Sequence, residues 1–176
     1  MNYNLEKSIE VLEHTPFVLD NLLSGLSEEW VYRNEGGETW SAFDVVGHLI
    51  EGELNDWIQR MNIILQQHGN RTFKPFDRFA QLEANKGKEI QELLDLFKKL
   101  RKANVDKLKQ IKLKAEDYHL TGMHPALGEV TLKNLLATWV VHDLNHISQI
   151  VRAMAYQYKT EVGPWSEYLP ILNRLH

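Results

Sequence analysis

Two histidines one helical turn apart, His142 and His146, are the residues of this sequence best placed for chemistry. At i and i+4 both imidazoles leave one helix face and can reach a single metal ion. They lie in the stretch Leu132 to Met154, where Leu132, Leu135, Trp139, His142, His146, Ile150 and Met154 recur every three or four residues. That spacing puts all seven on the side of a helix that should face a core. Asp143 also projects toward this side, and Gln149 lies one turn beyond His146. A carboxylate aimed inward needs a partner, and His146 is within its reach. Two core histidines with ordinary hydrogen bonds would give the same pattern, so a metal site requires a third ligand from elsewhere. His48, His119 and His124 are the available candidates.

Composition narrows the chemistry. The chain has 176 residues, 43% hydrophobic and 25% charged, which suits one soluble globular domain spanning 1–176. No apolar run reaches the ~20 residues that would span a membrane, and the N-terminus lacks the basic and apolar regions of a signal peptide. The expected location is therefore the cytoplasm, without membrane attachment. A net charge of −4 offers no broad attraction for nucleic acid. There is no cysteine. Disulfides, thiolate metal sites and a protein thiol nucleophile are excluded, so a metal here must be held by His, Asp or Glu, and any sulfur chemistry needs a thiol from a cosubstrate.

Four helices must position these groups. The first spans about Asn4 to Leu23, with Pro16 expected to kink or break it. The second begins at Ser41, where Ser41 and Asp44 make a capping-box-like start with Trp40 just outside, and should run to about Gln66. It should bury Val46, Leu49, Ile50, Trp57, Met61 and Ile64. His48 sits in its second turn, away from most of that stripe. It is either a half-exposed surface residue or a ligand at the rim of a polar cleft in which Gly52 leaves room for substrate. The third helix covers Lys86 to about Leu113, and Thr131 caps the fourth. A long connection, 68–87, carries Phe73, Phe76 and Phe79 among cations and reads as a plug on the bundle or a pocket wall. Residues 118–130 read as a connector with a short strand pair, and Gly163-Pro164-Trp165 ends the last helix before a short tail that finishes at His176. The whole is expected to be an all-α four-helix bundle with a long connection between helices 2 and 3.

The sequence resembles the DinB/YfiT-like superfamily of metal-dependent enzymes. The residues that carry the likeness are Trp40-Ser41, Gly47-His48-Leu49 and His142-Asp143-x-x-His146. Supporting pieces are Phe76-Asp77, the Leu127 to Thr131 lead into the last helix, and Gly163-Pro164-Trp165. The resemblance covers nearly the whole chain. It implies His48, His142 and His146 as ligands of one divalent metal ion, zinc or nickel, and favours His48 over His119 and His124. It also implies a homodimer and a small-molecule substrate.

Three neutral imidazoles leave the ion its full charge and at least one open position, which can acidify a water or a thiol. The first expectation, implied by the resemblance to the thiol-dependent transferases of this family, is an S-transferase that uses a low-molecular-weight thiol against small electrophiles. Asp143 and Gln149 would act from behind the ligands, while Glu51, Gly52 and Asn55 would border the substrate pocket. The alternatives are a metal-dependent hydrolase and a non-catalytic, metal-stabilised dimeric stress-response module. No general acid or base is identified from the sequence.

Overall fold

Each of the four amphipathic stretches becomes one wall of a bundle in the computed structural model, which describes residues 2–66 and 68–173. His176 lies outside the described residues. Helix α1 (Leu5–Leu23) is capped by Asn4, whose side chain accepts from the Lys7 amide at 2.9 Å. Pro16 does not end it: the helix runs straight through. A proline has no N–H to give the carbonyl one turn behind it, and here that carbonyl, Leu12 O, accepts from the Arg101 guanidinium at 3.0 Å instead. A cation from another helix thus fills the gap that should have weakened this one.

After a short helix α2 (Glu28–Tyr32), helix α3 (Ala42–Asn55) starts at the expected Ser41, whose hydroxyl and amide both donate to the Asp44 carboxylate. The long second helix is not continuous. It breaks at Asp56 and resumes as α4 (Trp57–Leu65). The break has a packing cause. Residues five apart in an unbroken helix point about 140° away from each other, yet the Trp57 indole lies against Gly52, where a Cβ would come within 3.1 Å of its Nε1. Breaking the helix turns Trp57 into the core, stacked on Trp139 with ring centroids 5.6 Å apart.

Helix α5 (Ala80–Ala84) is a single turn, and helix α6 (Ile90–Gln110) is shorter than the expected 86–113. Gly87 and Lys112 take φ values of 77° and 50°, left-handed conformations that end a helix on either side. The strand pair is present as an antiparallel hairpin, β1 (Thr121–His124) and β2 (Gly128–Thr131). Helix α7 (Leu132–Tyr156) is capped by Thr131 with Asn134 and stops before Gly163. The tail continues as two short stretches of tighter helix, Gly163–Tyr168 and Pro170–Leu172.

Helices α1 and α3 each pack against both α6 and α7. Around the ring of four, α6 therefore stands across the bundle axis from α7. One core cluster forms around Leu12, Met61, Trp57 and Trp139, and a second around Leu49, Phe97 and Ile150. The long connection does both jobs expected of it. Phe73 is buried, its amide donates to Met123 O at 2.9 Å, and its ring lies so close to Gly122 that a Cβ there would come within 2.6 Å. Pinned to the hairpin this way, the connection brings Phe76 over His48, with ring centroids 5.5 Å apart. Among the described residues no helix is long and apolar enough to cross a membrane.

Candidate metal centre

Adjacent helices bring three histidines together. His48 comes from the second turn of α3, and His142 and His146 from the middle of α7. His142 Nε2 lies 3.1 Å from His48 Nε2 and 3.1 Å from His146 Nε2. The ligand atoms of all three fall within 4.8 Å of one another, the arrangement needed to hold one metal ion. His48 is buried, not half-exposed. The Trp40, Phe76 and Trp57 rings close around the cluster, Trp40 5.0 Å from His48 and Trp57 5.1 Å from His142. The other histidines considered as ligands stand apart from it. His119 is exposed, and His124 uses its Nδ1 to accept from the Ala126 and Leu127 amides.

The donor set fits a metal ion on two counts. Nitrogens about 2.0–2.1 Å from a zinc ion lie about 2.9 Å apart at a right angle and about 3.4 Å apart at the tetrahedral angle. The two separations of 3.1 Å fall between these limits. In addition, His142 Nε2 faces two nitrogens but carries either one proton or one lone pair, so it cannot complete a good hydrogen bond to both. A shared cation resolves that conflict. The orientation of His146 agrees: its Nδ1 donates to Gln149 Oε1 at 2.8 Å, which leaves the Nε2 lone pair facing the cluster. Gln149 thus holds the His146 ring from the side away from the cluster.

The three rings are held neutral. Burial, then the neighbouring His146 and Arg78, push His48 from 6.5 down to about 4. Burial and the two other histidines push His142 down to about 2, and burial lowers His146 as well. A folded value below the unfolded one means that the unfolded chain takes up protons first as the pH falls. The metal-free fold should therefore lose stability from pH 6.5 toward pH 4, by at most about 1.4 kcal/mol per pH unit for each such group. Asp56 acts in the opposite sense, because burial raises its carboxyl from 3.8 to about 6. Glu53, whose carboxyl is also raised by burial, acts in the same sense, and the two carboxyls offset part of the loss from the three histidines. Thermal melts of chelator-treated protein should show a lower Tm near pH 5 than near pH 7. A Tm that holds or rises would contradict the buried, neutral histidines.

Asp143 does not reach His146. It is fully buried and takes two hydrogen bonds from Arg101, at 2.5 and 2.9 Å. Arg101 also donates from Nε to Glu53 at 3.0 Å, and its Nη2 lies 2.8 Å from the same carboxylate. With the bond to Leu12 O, the guanidinium donates four hydrogen bonds. This one side chain on α6 ties together α1, α3 and α7. Glu53 further accepts from Asn104 at 3.0 Å and Trp139 Nε1 at 3.1 Å. Burial raises the Glu53 carboxyl, with Arg101 and Asn104 opposing it. Neither Arg101 nor Glu53 stood out in the sequence. Each lies on an apolar stripe of its helix, Arg101 with Leu94, Phe97 and Leu108, and Glu53 with Val46, Leu49 and Ile50. Opposite charges at two core positions were the available signal.

The remaining expected pocket residues lie elsewhere. The space beside Gly52 is filled by Trp57. Glu51 accepts from Asn55 at 2.6 Å, and the two border a separate cleft that none of the three histidines lines. Two other cavities open onto the cluster, and His48 and His142 line both.

Comparison with known proteins matches residues 12–150 to the model of the DinB superfamily. No curated protein matches the chain. Among solved structures, YfiT from Bacillus subtilis, a probable metal-dependent hydrolase with an unusual four-helix bundle topology, aligns with a TM-score of 0.72. The identity is 21% over 90% of this chain and 87% of that one, a likeness of fold.

Proposed function

The chain belongs to the DinB superfamily, and we propose that it is a metal-dependent S-transferase in which His48, His142 and His146 hold one divalent ion. The observation that carries this reading is the convergence of three histidines, with His142 Nε2 3.1 Å from the Nε2 of each of the other two, inside a shell of aromatic rings. An all-nitrogen donor set suits zinc or nickel. Such an ion, with open positions, supplies a Lewis acid that lowers the pKa of a thiol or a water. In the transfer, a small thiol gives up its proton to solvent, its sulfur bonds to an electrophilic carbon, and the leaving group departs with the bonding pair. The chain has no sulfhydryl of its own to compete. Its residues keep the ligands neutral, fix the His146 ring through Gln149, and exclude water with Trp40, Trp57 and Phe76.

One observation favours hydrolysis as the second reading. Asp56 lines a cavity shared with His48 and His142, and its carboxyl is raised to about 6, a value suited to a general base near neutral pH. YfiT, of like fold, is described as a hydrolase. Elemental analysis of the untagged chain should find about one divalent ion per molecule, lost in His48→Ala and His146→Ala. The metal-loaded chain should then accelerate the reaction of chlorodinitrobenzene with mercaptoethanol and leave nitrophenyl acetate untouched. Thiol-independent ester cleavage, abolished in Asp56→Asn, would replace transfer by hydrolysis. An absence of bound metal after incubation with zinc and nickel would remove both readings.

A further inference from the structure

The two cavities that meet at the histidine cluster differ in character. One, of about 540 Å³, is bordered by Trp40, Arg78, Arg152, Glu35 and Glu38. The other, of about 300 Å³, exposes mainly apolar surface from Trp57, Phe76, Leu127 and Val130, with the Asp56–Arg60 ion pair also in its walls. His48 and His142 belong to both. Small molecules can therefore approach the cluster from two sides without crossing.

The polar side has a cation to spare. Arg152 is neutralised by Glu35 through two bonds of 2.8 and 2.9 Å. Arg60 and Arg101 are likewise paired with carboxylates. Arg78 makes no ion pair among the described residues; its guanidinium lies over the rings of Trp40 and Phe79, 5.7 and 5.0 Å from their centroids. Trp40 in turn is 5.0 Å from His48, so one ring separates this cation from the cluster. Glu38 is the opposing charge on this side. A divalent ion in the cluster outweighs it, so the loaded cavity favours anions. A guanidinium offers the planar fork that suits a carboxylate.

We propose that the centre has two mouths: a small carboxylate-bearing molecule enters from the polar cavity with its carboxylate on Arg78, and an uncharged apolar molecule enters from the other. This rests on the metal-centre reading above and names the chemistry of its two substrates.

The test is calorimetric titration of the zinc-loaded full chain with mercaptopropionate and with mercaptopropanol, which differ only in the carboxylate. A charge-assisted hydrogen bond predicts that the acid binds about ten-fold tighter. In Arg78→Ala most of that preference should be lost, leaving only what the ion's charge supplies, with zinc content and mercaptopropanol affinity unchanged, and Arg78→Lys should restore part of the preference. Saturating toluene, placed in the apolar cavity, should leave mercaptopropionate affinity unaltered. Equal binding of the two thiols to the zinc-loaded chain, a preference undiminished in Arg78→Ala, or displacement of mercaptopropionate by toluene would each overturn the two-mouth assignment while leaving the metal centre standing. A chain that holds no zinc would instead overturn the centre itself, and this inference with it.

Discussion

Replacing Arg101 with leucine is expected to cost about 3–5 kcal/mol of stability, because it leaves two buried carboxylates without their cation. Asp143 and Glu53 are both fully enclosed, and neither has a second positive partner within ion-pair distance among the described residues. Leu12 O would also lose the donor that stands in for the N–H absent at Pro16. For a chain of this size the loss corresponds to a fall in Tm of roughly 6–20 °C. The network should behave as a unit. Arg101→Met combined with Glu53→Gln and Asp143→Asn removes all three charges and should recover a large part of the loss, since an apolar or neutral replacement of a complete buried ion cluster is far less costly than breaking it. Denaturant melts of the single and triple variants decide the matter. Equal destabilisation of both would mean that shape and not charge is what Arg101 provides. Metal binding offers a second readout, because the α7 turn that carries Asp143 also carries His142 and His146.

The second large effect concerns the metal. Zinc at about a thousand times its Kd should stabilise the folded chain by roughly 4 kcal/mol, or a Tm rise of about 8–16 °C for a protein of this length. In His142→Ala the rise should vanish, since this ring contacts both other ligands at 3.1 Å and its loss leaves two donors. Gln149→Leu should keep the three ligands but release the His146 ring, weakening zinc by about 10–100-fold. The Tm rise in that variant should be intermediate. A zinc-dependent rise that survives intact in His142→Ala would place the ion somewhere other than among these histidines.

What could be read in the sequence is what short-range spacing carries. The 3.6-residue period marked the four long helices, Ser41 and Thr131 marked two of their starts, and the step from His142 to His146 marked two nitrogens on one face. All of these are relations among residues within one or two turns. Family resemblance extended that reach and pointed to His48, which its own spacing left open between surface and site. Tertiary structure decided the rest, because the partners lie on different helices. Nothing near Asp143 in the chain indicates that its carboxylate belongs to Arg101, 42 residues away and across the bundle axis. Nothing near Pro16 indicates that its missing hydrogen bond is supplied by the same guanidinium. The break at Asp56 likewise depends on another helix, since it is what turns Trp57 onto Trp139 of α7. Local periodicity determines which face of each helix is buried. Which buried groups meet depends on how those faces are arranged around a common axis, and at the cluster that arrangement brings His48, 94 residues from His142 in sequence, within 3.1 Å of it.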